Sequence, residues 1–103
     1  MSVTPQPPNT STVVTGGVPV TAVLAVSNGI NGGYVVNPLT ASDQGLGAIE
    51  PLYVNIVTNA TTSGNGTTVA LQAGQSFALV PGQTTAVSVN AASNGHRFTC
   101  VFW

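Results

Sequence analysis

The sequence predicts an all-β protein, a small antiparallel β-sandwich or barrel preceded by an extended Pro-rich N-terminal arm. Three observations carry this prediction. Val and Thr supply 30 of the 103 residues, and both are β-branched and stiff at χ1, which suits a pleated surface. Turn chemistry recurs at short spacing, as Gly16-Gly17, Asn28-Gly29, Asn31-Gly32-Gly33, Ser63-Gly64-Asn65-Gly66, Pro81-Gly82 and Asn94-Gly95. Glycine or proline interrupts nearly every window of eleven residues, which leaves little room for an amphipathic helix. Short strands between such turns read as a sandwich or a barrel.

Residues 1–12 (MSVTPQPPNTST) contain Pro5, Pro7 and Pro8 and have no hydrophobic periodicity. Such a stretch favours extended or polyproline II backbone and cannot build a core. It reads either as a frayed terminus or as an arm lying across a neighbouring subunit. Residues 13–103 form a single domain, with strands expected over 18–27, 34–37, 52–58, 67–72, 76–80, 86–90 and 96–103. The final pair is the clearest. Val87 and Val89 alternate with Ser88 and Asn90, residues 91–95 turn the chain, and the last strand returns. In that strand His96, Phe98, Cys100 and Phe102 share the face expected in the core, while Arg97, Thr99, Val101 and Trp103 share the other. Apolar residues on both faces mark a strand that is central in its sheet or covered by a partner. Residues 39–51 (LTASDQGLGAIEP) break the strand pattern and hold both acids, so they read as a long excursion loop with one helical turn after Ser42.

Composition bounds the function. Only Arg97, Asp43 and Glu50 are charged, 3% of the chain, against about 25% in an ordinary soluble domain. Binding nucleic acid takes several Lys or Arg side chains on phosphates, and a polybasic membrane patch needs the same, so both partners are excluded. The apolar run 18–26 is too short to span a bilayer. A secretory leader is not expected, since the first twenty residues carry no basic segment and hold four prolines. The sequons at Asn9, Asn59 and Asn65 then carry no weight in a chain this rich in Asn and Thr. The hydrophobic content is 11 Ala and 16 Val with six aromatics, a core of small branched side chains. With little charge to keep copies apart, the chain reads as an assembly subunit.

Catalysis finds no foothold. His96 and Cys100 lie four apart on one strand, roughly 13 Å along it, too far for a nucleophile–base pair. Cys100, the only cysteine, is better read as a small buried hydrophobe. Asp43 and Glu50 share one loop with nothing to support them as a hydrolytic pair. A metal site needs three or four strong ligands, which leaves only ions shared by His96 side chains around an oligomer axis. His96 itself, after Asn94-Gly95, reads as a polar residue flanking a turn. No enzyme, cofactor or metal is therefore expected. Arg97 has only Asp43 and Glu50 as side-chain counter-ions. The pair either clamps the long loop to the last strand or forms between subunits, where bidentate geometry fixes register.

Three stretches resemble a known group: GGYVVNP (32–38), SDQGLGAIEPLYVN (42–55) and NGTTVALQAGQSFALVPGQTTAVSVNAASNGHRFTCVFW (65–103). They look like small β-rich structural proteins of tailed bacteriophages and prophages, and cover 60 of the 103 residues. The shared elements are the Tyr34-Val35-Val36-Asn37-Pro38 step, the Glu50-Pro51-Leu52-Tyr53-Val54 strand and the ending Gly95-His96-Arg97-Phe98-Thr99-Cys100-Val101-Phe102-Trp103. The resemblance implies a virion component assembled in the host cytoplasm, a capsid decoration (cement) protein. Such a protein binds the capsid exterior and bridges capsomers, with the major capsid protein and copies of itself, trimers among them, as partners. Its interface would draw on Pro5, Pro7 and Pro8 of the arm together with Asp43, Glu50, Tyr53, Arg97 and Trp103. The alternative is a tail, fibre or adhesin-like module that recognises a surface glycan by stacking on Tyr34, Tyr53 or Trp103.

Overall fold

The computed structural model folds the last two strands foreseen by the sequence as expected. It describes residues 9–23, 32–63, 66–79 and 86–102. Among these are strands β1 (Asn9–Val13), β2 (Val20–Val23), β3 (Gly33–Val36), β4 (Leu52–Asn55), β5 (Val69–Leu71), β6 (Ser76–Ala78), β7 (Ala86–Asn90) and β8 (His96–Phe102). One short helix, α1 (Ala41–Gln44), interrupts the series between β3 and β4.

The strands form two four-stranded antiparallel sheets, ordered β1-β8-β3-β6 and β2-β7-β4-β5. The first strand pairs with the last, the second with the seventh, the third with the sixth and the fourth with the fifth. A long hairpin rolled over itself in this way is the eight-stranded jelly roll. Every connection except β4–β5 crosses from one sheet to the other.

The core lies between the sheets. Val35 of β3 and Phe98 and Cys100 of β8 face Leu52 and Val54 of β4 and Val87 and Val89 of β7, with Val13, Leu71, Leu79 and Ala91 closing the ends. Among the described residues Phe98 is the largest fully buried side chain. Fully burying one such apolar side chain is worth about 1.5–3 kcal/mol, so this Val-rich core depends on many small contributions. β8 is central in its sheet, between β1 and β3. That position accounts for apolar residues on both of its faces.

Two boundaries differ from the sequence reading. β1 begins at Asn9, inside the segment assigned to the arm, and pairs with β8 in the register Thr10↔Thr99 and Thr12↔Arg97. An edge strand is paired on one side only, so Asn-Thr-Ser-Thr serves where apolar alternation is absent. Pro5, Pro7 and Pro8 lie outside the described residues, as does Trp103. The helical turn starts at Ala41, one residue before the Ser42 expected to precede it. Thr40 is its N-cap, its Oγ1 accepting from the Asp43 N–H at 3.1 Å, and Gly45 ends it in the left-handed conformation at φ 76°.

Candidate functional site

The excursion loop brings two of the three charges together. Asp43 stands on α1 and Arg97 on the outward face of β8, and with Pro38, Leu39 and Thr99 they line an open depression of about 350 Å³. Arg97 lies against the C-terminal end of α1. A β-carbon on Gly45 would come 3.2 Å from its Nε, so the missing side chain leaves the room that Arg97 occupies. Both charged side chains are exposed, and Leu39 beside them is 67% exposed.

Glu50 goes elsewhere. Ser93 Oγ sits 2.8 Å from each of its carboxylate oxygens and donates to them. The expected clamp of Arg97 onto a carboxylate is therefore not made. Neither acid forms an ion pair with Arg97 among the described residues. The loop is held instead by amide chemistry. Gln44, fully buried, donates to the Pro38 carbonyl at 2.9 Å and accepts from the Glu50 N–H at 3.0 Å.

A second amide ties the loop to both sheets. Asn37 Nδ2 donates to the carbonyls of Glu50 (3.0 Å) and Leu71 (2.9 Å), which fixes the orientation of its amide. Its Oδ1 must then accept, so His96 Nε2, 2.8 Å away, carries the proton. His96 is thus the Nε2–H tautomer, and its buried Nδ1 has no hydrogen-bond partner among the described residues. Burial lowers the His96 pKa below its usual range, with the negative charge of Glu50 opposing the shift. His96 directly follows the Asn94-Gly95 turn and lies on the core face of β8, as the sequence reading places it. Its ring is fully buried and cannot reach a metal shared with another copy.

Tyr53 belongs to a different surface. Its neighbours Leu52 and Val54 point into the core, so Tyr53 stands half-buried on the outer face of the β2-β7-β4-β5 sheet. Tyr34, 38% exposed, pairs with Ala78 and Val101 on the outer face of the other sheet. The two tyrosines do not share a stacking platform, and Tyr53 does not join Arg97 and Asp43.

The β4–β5 connection folds back over the outer face beside Tyr53. Ala60 accepts from Asn90 Nδ2 at 3.0 Å, and its N–H donates to Ser88 Oγ at 2.9 Å. Asn55 Oδ1 accepts from the N–H groups of Val57 (2.8 Å) and Thr58 (2.9 Å), and its Nδ2 donates to Thr58 and Thr68 hydroxyls at 3.1 Å. These bonds bury Asn55, Ser88 and Asn90, which strand alternation alone would place in solvent. Beside them is a neutral depression of about 400 Å³ lined by Thr21, Asn55, Ile56, Val57, Thr58, Asn59 and Ser88.

Cys100 is buried and free, and desolvation raises its thiol pKa, so little nucleophilic thiolate is present at neutral pH. Among the described residues no three His, Cys, Asp or Glu side chains gather where they could hold a metal ion. No described helix is long and apolar enough to cross a membrane. The sequence missed Asn37, Gln44 and Asn55 as organising residues; the Asn-Pro step at Asn37-Pro38 was their nearest signal. No family model, curated protein or solved structure matches this chain.

Proposed function

We propose that this chain is a non-enzymatic virion subunit, a capsid decoration protein that binds the capsid exterior and stabilises capsomers as a homo-oligomer. The observation that carries the reading is the disposition of the few reactive groups. His96 and Cys100 are sealed in the core and Glu50 is bound to Ser93, while Arg97 and Asp43 face outward beside exposed Leu39. What remains outside is a contact surface, with Val14, Val18, Ile49 and Val57 also exposed. An eight-stranded jelly roll supports the reading by analogy, since the architecture is frequent in viral capsid proteins. The resemblance of the Tyr34–Pro38 step and the β8 ending to phage structural proteins points the same way. The major capsid protein and copies of the chain itself are its partners, with no role for nucleic acid or membrane.

The test is co-sedimentation of the purified chain with capsids stripped of it. Saturable binding that raises the temperature of capsid disruption supports the proposal, and absence of binding refutes it. A second reading draws on the neutral depression lined by Thr21, Thr58, Asn59 and Ser88. Hydroxyls and amides without charge suit a sugar, and lectin domains also use the jelly roll. In that reading the chain is a tail, fibre or adhesin-like module that recognises a surface glycan. Glycan-array binding abolished by Asn59→Ala would favour it over decoration.

A further inference from the structure

Arg97 is the only basic side chain in 103 residues, so any ion pair between copies through Lys or Arg must use it. Of the two acids, Glu50 has both carboxylate oxygens 2.8 Å from Ser93 Oγ. Asp43 is exposed, and only its backbone N–H serves the cap of α1. The available anion therefore stands in the same depression as the available cation. They form no ion pair with each other among the described residues.

This placement constrains how two copies can meet. If the Arg97 of one chain reaches the Asp43 of another, the depression of the first lies against the depression of the second, because each depression holds both groups. A contact in which one residue meets a second, and the second meets the first, has two-fold symmetry. We infer that the depression lined by Pro38, Leu39, Asp43, Arg97 and Thr99 is the two-fold contact of a homodimer. In it each Arg97 pairs with the partner's Asp43, and Leu39 supplies the apolar centre between the two pairs. Gly45 leaves the room that Arg97 takes up, and the cap at Thr40 holds the turn that carries Asp43. The inference deepens the homo-oligomeric part of the proposed function but needs no capsid to be tested.

Sedimentation equilibrium of the purified chain from about 1 μM to about 1 mM is expected to show a species of twice the 10.3 kDa chain mass. Its dissociation constant should rise with NaCl, because rim charges are screened. Like charges facing across the contact cost several kcal/mol, so Arg97→Asp and Asp43→Arg should each weaken dimerisation roughly 100-fold or more. Circular dichroism should stay unchanged, since both side chains are exposed. Mixed in equal amounts, the two variants should recover a dimer with one chain of each, because every contact then joins an Arg to an Asp. Should either reversal fail to fold, Arg97→Gln and Asp43→Asn serve instead, and both should weaken the dimer and reduce its salt dependence. A chain that stays monomeric throughout, variants that dimerise like the parent, or a mixture that remains monomeric or exceeds two chains would each overturn the inference. A dimer that passes these tests but does not bind capsids would leave it standing and remove the decoration reading.

Discussion

Replacing Asn37 with leucine should destabilise the fold by more than any single apolar truncation at its surface. The side chain is fully buried and serves three partners at once: the Glu50 carbonyl at 3.0 Å, the Leu71 carbonyl at 2.9 Å and His96 Nε2 at 2.8 Å. Leucine has as many side-chain heavy atoms in the same branched arrangement but bulkier methyl groups, so the change opens no cavity and overpacking adds to the polar loss. Each buried group left without a partner costs about 1–3 kcal/mol. The Leu71 and His96 bonds are buried, whereas the Glu50 carbonyl is partly exposed and can turn to water. The expected loss is therefore roughly 2–6 kcal/mol, a large part of the ~5–15 kcal/mol typical of a whole domain. Urea denaturation reads it directly, as a lower midpoint with an unchanged slope. In a double-mutant cycle, His96→Phe should cost less in the Asn37→Leu background than alone, by about 0.5–3 kcal/mol. Loss of under about 0.5 kcal/mol for Asn37→Leu, within the range of ordinary surface changes, would refute the hub described for this residue.

Three further outcomes follow from the same structure. His96 has a lowered folded-state pKa while the unfolded chain titrates near the ordinary 6.5, so below that value the unfolded state binds more protons. Stability should fall as pH drops from 7.5 toward about 5.5, and His96→Gln, which keeps the donor to Asn37, should flatten the profile; a parent profile already flat would contradict the burial. Gly16 has no room for a side chain, since a β-carbon there would overlap the Ala92 carbonyl. Gly16→Ala should cost about 1–3 kcal/mol by thermal or urea melt, and an unchanged melt would contradict the docking of the β1–β2 loop on the β7–β8 turn. Removing residues 1–12 deletes four of the five residues of β1 and should unfold or loosen the domain. Removing 1–8 spares β1 and should leave the circular dichroism spectrum intact.

Local alternation made the central strands legible. Val87 and Val89, Leu52 and Val54, and Phe98 and Cys100 enter the core at the period the sequence displays. The end of β4 was overestimated, since the sequence extends it through residue 58, while residues 24–27 of the expected first strand lie outside the described residues. The β4 strand stops at Asn55 because its side chain captures the N–H groups of Val57 and Thr58, and sequence composition does not display that competition. The pairing of β1 with β8 was also invisible, since nothing local links a Thr-rich edge strand to a partner some ninety residues away.

The same physics divides the functional residues. Arg97 and Asp43 stood out because the chain has so few charges, and the fold does bring them together. Glu50 and Tyr53 are carried away from them, one by a serine hydroxyl and the other by a one-residue alternation on β4. Asn37, Gln44, Asn55 and Asn90 were hidden for the opposite reason. Polar side chains are ordinarily expected at the surface, and most of the groups that satisfy these four are backbone amides and carbonyls, which every residue has.

The most direct measurement is quantitative mass spectrometry of purified virus particles from the culture that carries this gene, giving copies of the chain per major capsid protein. A decoration role predicts a ratio comparable to that of the major capsid protein. A handful of copies per particle would move the chain to a tail, vertex or fibre, and its absence from particles would contradict the virion assignment altogether.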